Sequence, residues 1–285
     1  MSAAFTVYRR WLRDRRLSTF SWSLGLAIIV VATAAFYPAL SSSSESLDSG
    51  GGSEAMSSLL GLSAGIDPSS PLGYLWIGLY ANVLPWTLMA LGVSVGVAAL
   101  AGDEGTGALE YLLSGPVTRT QVLFGRFVAA LTVLVIASVV SAVALLAAMP
   151  AFELTDPATT TLPDGTTSTA PGASFANIVD GTVSAFAIAL GLASIAFLIG
   201  AATGRRGLAL GVASALGLGG YVFYTLSSMT SSLDALTWLS SWRWYVDDVM
   251  LINGLNWPVL VPFGVAVVAL LVSWWAFLHR DLQSS

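Results

Sequence analysis

Residues 122–149 read VLFGRFVAALTVLVIASVVSAVALLAAM, and in these 28 positions Arg126, close to the start, is the only charge. The run is apolar on every face of a helix rather than along one stripe, the pattern of a segment surrounded by other apolar groups. As a helix it covers about 42 Å, enough to cross roughly 30 Å of hydrocarbon at a tilt. Five more runs share its character, so spans are expected at 22–40, 73–100, 122–149, 178–202, 208–226 and 259–278. None holds an ionisable group near its middle, where each Arg or Asp costs about 2.5–3.5 kcal/mol. Pro85 lies inside the second run, and a kink is expected there. The fold class expected is an all-α membrane protein with six transmembrane helices, forming a single transmembrane domain over residues 1–285.

Composition agrees. Of the 285 residues, 55% are hydrophobic and 9% charged, against about 25% charged in soluble domains. The chain has no cysteine, which excludes disulfides and thiolate chemistry. All 11 basic residues are arginine, so there is no lysine for a phosphate-binding loop or a Schiff base. With His279 as the lone histidine, no catalytic, cofactor-binding or metal-ligating set is expected.

The connecting segments orient the spans. Arg9, Arg10, Arg13, Arg15, Arg16, Arg119, Arg126, Arg205, Arg206 and Arg280 fall on one side, and Arg243 alone on the other. Such a bias places the arginine-rich side, with both termini, in the cytoplasm. Eleven of the 16 acidic residues fall on the opposite side, Glu45, Glu153, Asp156 and Asp247 among them, so the low pI reports an acidic outer face. No nucleic-acid partner is expected. The basic start followed by an apolar run and Ala32-Thr33-Ala34 also has the look of a cleavable signal peptide. The apolar run is nearer a full span, however, and cleavage would leave five spans and break the charge pattern.

Outside the spans, residues 3–17 read as an amphipathic helix with Phe5, Tyr8, Trp11 and Leu12 on one arc and Arg9, Arg13 and Arg16 opposite; Arg15 is the misfit. It is expected to lie in the cytoplasmic interface, with its rings among headgroups and its arginines on anionic lipid. A solvated basic stub is the alternative. The stretches 41–70 and 153–174 read as mobile linkers. Residues 233–257, with Trp238, Trp242, Trp244, Tyr245 and Trp257, suit a short interfacial or partly re-entrant helical pair with indoles at headgroup level.

The loop between spans two and three, residues 103–116, has readable physics. Thr106 can start a short helix on which Leu109, Leu112 and Leu113 share a face, and Gly115-Pro116 stops it. Thr118 and Gln121 form a capping box that opens span three. The leucines are free either to pack on the protein's own helix ends or to meet a cytoplasmic partner, with Asp103, Glu104 and Glu110 flanking them.

From Glu104 to Arg119 the chain reads EGTGALEYLLSGPVTR and resembles the E-x-G-T-L-E-x-L-L-x-x-P-V-S-R loop of ABC-2-type transporter permeases, with Gly107 as an extra residue. Residues 251–257 (LINGLNW) and 277–282 (FLHRDL) are similar to that family's L-N-G-x-D-W and terminal F-x-R-R-D-L, with Asn256 and His279 as departures. The resemblance implies a permease that pairs with a second, identical or different, and with two cytoplasmic ATP-binding cassette subunits holding ATP and Mg. It also implies that the loop with Glu104, Leu109, Glu110, Leu112, Leu113 and Pro116 is a coupling helix docked into the ATPase. Gly207, Gly211, Ala215 and Gly219 make a small-residue stripe on span five. That stripe suits packing within the subunit or across a dimer, and the resemblance favours the dimer.

The function expected is therefore the permease of an ATP-driven exporter in a prokaryotic inner membrane. Its uncharged spans favour a drug, antibiotic or lipid as cargo. An intramembrane enzyme would need paired polar groups at membrane depth, and the spans hold none. A non-transporting anchor or sensor partner shares the topology; it differs in whether a bound ATPase responds to substrate.

Overall fold

The computed structural model describes residues 3–41, 70–104, 107–161, 167–228, 237–238 and 240–280. Thr106, most of the Ser- and Gly-rich stretch 41–70, and the tail from Asp281 lie outside these residues, as do Asp164 and Asp234. Among the described residues, six helices are long and apolar enough to cross a membrane: Arg16–Ala39, Pro71–Ala99, Arg119–Phe152, Phe175–Thr203, Arg206–Ser227 and Trp257–His279. The first begins six residues ahead of the expected 22, because the backbone hydrogen-bond ladder runs on beneath polar side chains: Thr19 N–H already reaches the Arg15 carbonyl at 2.9 Å.

Span four is the centre, packed against spans two, three, five and six, while span one rests on span three. The tightest seam lies between spans two and four. Gly92 and Gly96, one turn apart, meet the carbonyls of Ala189 and Ala193, leaving no room for a Cβ on either glycine. Two backbones in such contact exchange side-chain bulk for close dispersion contact, the main attraction between helices in lipid.

Span two is irregular, but not at Pro85. Trp76–Tyr80 form a π-helical turn, Ala81 N–H donates to the Trp76 carbonyl at 2.6 Å, and Asn82 Nδ2 donates to the Ile77 carbonyl at 2.7 Å. The regular helix Val83–Ala99 then begins, with Pro85 in its first turn, where a missing N–H costs little. The irregular turn takes the strain that the proline would otherwise place mid-helix.

Two segments expected on the outer side depart from the sequence reading. Within 153–174, Ala158–Thr161 and Thr167–Ala170 pair as an antiparallel hairpin, with Ala158 opposite Ala170. Its base is anchored by the buried Leu154, whose carbonyl accepts from Ala173 N–H at 2.8 Å. The threonines that read as linker are β-branched and suit an extended, paired backbone. The aromatic segment does form two short helices, Arg243–Val246 and Met250–Asn253, but its rings point mostly inward. Trp242 is fully buried and donates through Nε1 to the Gly217 carbonyl at 3.0 Å; Tyr245 donates to the Tyr80 carbonyl. Trp242 also meets Trp86 at a tilt and Tyr221 edge-on, at centroid distances of 4.8 and 4.9 Å. This segment plugs one end of the bundle between spans two and five. Trp238 and Trp257, stacked at 6.0 Å, remain exposed.

The N-terminal helix runs Ala3–Asp14 and lies along span three. Arg9, Arg13 and Arg16 are exposed. Trp11 corrects the expectation of rings among headgroups: at 3% exposure it is packed into the chain with Val7. Span three supplies an apolar surface close at hand, so half of the helix's apolar arc is satisfied internally.

Candidate coupling site

The 103–116 loop is built from two short helices, Ala101–Glu104 and Ala108–Leu113. Gly107 turns the chain between them at φ 71°, a conformation that favours glycine, and its N–H closes on the Glu104 carbonyl at 3.0 Å. The residue that departs from the family pattern thus makes the corner. Ser114 Oγ donates to the Tyr111 carbonyl at 2.8 Å as the helix ends before Gly115-Pro116. Thr118 Oγ1 accepts from Gln121 N–H while Gln121 Oε1 accepts from Thr118 N–H, the reciprocal box that starts span three.

Two ion pairs tie this loop to distant spans. Asp103 pairs with Arg126 of span three, and Glu104 with Arg280 at the end of span six. The second pair is deep: the Glu104 side chain is 7% exposed and that of Arg280 16%. Behind Glu104 sits Gly204, the left-handed residue (φ 65°) that ends span four; any Cβ there would strike the Glu104 carboxylate. Arg119 adds a third tie. Its guanidinium donates to the Phe277 and Arg280 carbonyls at 3.3 and 2.7 Å, capping the end of span six. The loop is thus gripped by the ends of spans three, four and six together.

The leucine face needs correcting. Leu109 is 0% exposed and belongs to the protein's own core, and Leu112 and Leu113 are half-buried against it. A helix lying flat on the spans must turn one side inward, and the apolar side is the one that gains. Glu104 is likewise inside rather than on a rim, whereas Pro116 is exposed. Glu110 lies on the Ala108–Leu113 helix. Among the described side chains of this helix, the large one presented outward is Tyr111, at 78% exposure. Sequence reasoning passed over Tyr111 because periodicity marks which residues cluster, not which side of the cluster faces inward. Arg280 and Gly204 were missed as loop contacts for a different reason: they are about 176 and 100 residues away from Glu104.

On span five the stripe is open. A Cβ on Gly207, Gly211 or Gly219 would meet no described atom within 4 Å, and Ala215 is exposed. The inward face of that helix is instead Ala209, Ala213 and Gly217, the last against Met89 and Leu192. Packing within the described chain does not account for the stripe.

A cleft of about 200 Å³ opens between spans two, four and five, with Trp86, Met89, Val93, Leu192 and Leu218 in its wall and Ser214 as its polar point. No charged residue lines it. No curated protein matches the chain. The family model described as ABC-2 family transporter protein matches residues 5–282, nearly the whole chain, and with six membrane-crossing helices behind that match, the chain belongs to the ABC-2 transporter family as a multi-pass membrane permease that associates with ATP-binding cassette subunits.

Proposed function

We propose that this permease is one half of the membrane part of an ATP-driven exporter in a prokaryotic inner membrane, working with a second permease and moving an amphipathic or hydrophobic cargo by alternating access. ATP and Mg belong to the partner subunits. The observation that carries the reading is the cleft between spans two and five, apolar and free of charge, beside the open small-residue stripe of span five. A path walled by such surfaces has nothing to replace the hydration of a small ion or sugar, and much to offer a drug or lipid.

Coupling follows from the loop. A push on the Ala108–Leu113 helix by the ATP-binding subunit reaches span three through Asp103–Arg126 and span six through Glu104–Arg280. Spans that close on one side and open on the other then alternate access. The test is transport of a hydrophobic fluorescent dye in inverted membrane vesicles carrying the permease with its co-purified ATP-binding subunit. ATP-dependent dye uptake is expected. Uptake only in right-side-out vesicles would make the protein an importer, and ATP hydrolysis without dye movement would make it an anchor or sensor.

The dimer is tested separately. Gly211→Leu places a bulky side chain where the chain itself leaves open space, so the subunit fold should hold. The variant is expected to shift the detergent-solubilised protein from dimer to monomer in light scattering. An unchanged mass would move the interface away from span five.

A further inference from the structure

Two depressions follow one another at the N-terminal end of span one, the first of them on the far side of the Asp103–Arg126 pair. The first is a cleft of about 680 Å³ between the N-terminal helix and the Ala108–Leu113 helix, with Arg10, Trp11, Arg15, Asp103 and Arg126 in its wall. Its donors outnumber its acceptors. Among the described residues, the buried Trp11 indole N–H has no acceptor, nor has Nε of the buried Arg126. The Arg15 guanidinium lies 4.6 Å over the Trp11 ring and makes no ion pair among the described residues. Burial pulls the Arg15 pKa down, Arg126 and Arg206 adding to the pull and Asp103 opposing it. Of the two carboxylates in the wall, Asp103 is already committed to Arg126, and Asp14 is exposed. Buried N–H groups and cations of this kind are the matching half for an acceptor-rich anion.

The second depression says which anion. An apolar groove of about 250 Å³ is lined by Ser21, Trp22, Gly25, Leu26 and Ile29 of span one with Thr87 of span two. Ser18 lines the first cleft, and Ser18, Trp22, Gly25 and Ile29 fall on one helix face, so the groove continues the cleft for about 16 Å along span one. A free phosphate would use the cleft alone. A cleft of donors opening into an apolar channel fits a headgroup with a chain attached. Leu17 and Phe20, at 75% and 65% exposure, lie at the same end of the helix.

We propose that the cleft and groove together bind one anionic glycerophospholipid, its phosphate accepting from the Trp11 indole N–H and the Arg15 guanidinium and one acyl chain lying along Ser21–Ile29. This stands apart from the export reading, because it is measured on the chain without ATP or cargo. The experiment is native mass spectrometry of the full chain in detergent, titrated with phosphatidylglycerol, with phosphatidylcholine of the same chains, and with inorganic phosphate. One retained phosphatidylglycerol per chain is expected, with phosphatidylcholine weaker by about tenfold. Arg15→Gln should weaken phosphatidylglycerol by about tenfold, the weight of one charge-assisted hydrogen bond. Trp11→Phe, which keeps the ring beneath Arg15 and removes only the N–H, should weaken it by several-fold. Gly25→Leu, placed where nothing lies within 4 Å of a Cβ, should fill the groove and release the lipid without disturbing the helix. That variant keeps the test decisive if Arg15→Gln does not fold. Equal retention of both lipids would overturn the proposal, as would indifference to Arg15→Gln and Trp11→Phe. Competition by inorganic phosphate with no effect of Gly25→Leu would make the cleft a free-phosphate site and overturn it equally.

Discussion

Arg280→Met is expected to destabilise the purified permease by about 3–5 kcal/mol, the usual consequence of leaving one member of a buried ion pair alone. Glu104 would be the stranded charge: it is enclosed by the end of span four at Gly204 and has Arg280 as its ion-pair partner. Water cannot readily replace the guanidinium there. The double variant Glu104→Met with Arg280→Met should recover most of the lost stability, because two apolar side chains carry no desolvation penalty. It should not recover coupling. A charge pair in which one guanidinium nitrogen meets both carboxylate oxygens fixes the loop in one position against span six, whereas two flexible methionines fill the same space in many arrangements. Thermal unfolding in detergent reads the first effect, and substrate-stimulated ATP hydrolysis by the assembled complex reads the second. An Arg280→Met protein that melts and couples like the wild type would remove the pair from the coupling path. A double variant that couples normally would show that packing alone transmits the motion.

The contrast between what the sequence displayed and what it hid follows from the range of the interactions. Six spans were legible because each is a local run of apolar residues, and a bilayer imposes a length that any window can measure. The Thr118–Gln121 box was legible for the same reason, with donor and acceptor three residues apart. The seam at Gly92 and Gly96 is written in the sequence as no more than two small residues four apart, a shorter pattern than the stripe on span five, which faces outward. Spacing identifies a surface fit for close approach; it does not say whether the chain's own helices take it. The aromatic plug behaves alike. Trp242 and Tyr245 look like residues of an interfacial belt until their partners, Gly217 and Tyr80, are in place. Glu104 was marked as part of the loop, but that it is held by Arg280 rather than facing a partner depends on an association across 176 residues, which no periodicity records.

The inward turn of Leu109 leads to the second large effect. Among the described side chains of the Ala108–Leu113 helix, Tyr111, at 78% exposure, is the large one turned outward, while Leu109 is wholly enclosed. An exposed ring on a short helix clamped at its base loses little freedom on entering a partner's pocket, which is why tyrosine is prominent among the residues that dominate protein interfaces. Tyr111→Ala is therefore expected to weaken retention of the ATP-binding subunit by about 2 kcal/mol, roughly thirtyfold, with the melting temperature of the permease itself unchanged. Leu109→Ser should do the reverse. Removing a buried leucine and leaving a hydroxyl in its place costs about 2–5 kcal/mol of stability, so this variant should melt early and lose its partner only as a consequence of misfolding. The two measurements, unfolding of the permease alone and co-purification of the ATP-binding subunit, separate the roles. If Tyr111→Ala holds its partner as tightly as the wild type, the outward face of this helix is not the contact. The ATP-binding subunit would then be gripped elsewhere, around the N-terminal helix or the Arg205-Arg206 turn, and the buried leucines would be packing and nothing more.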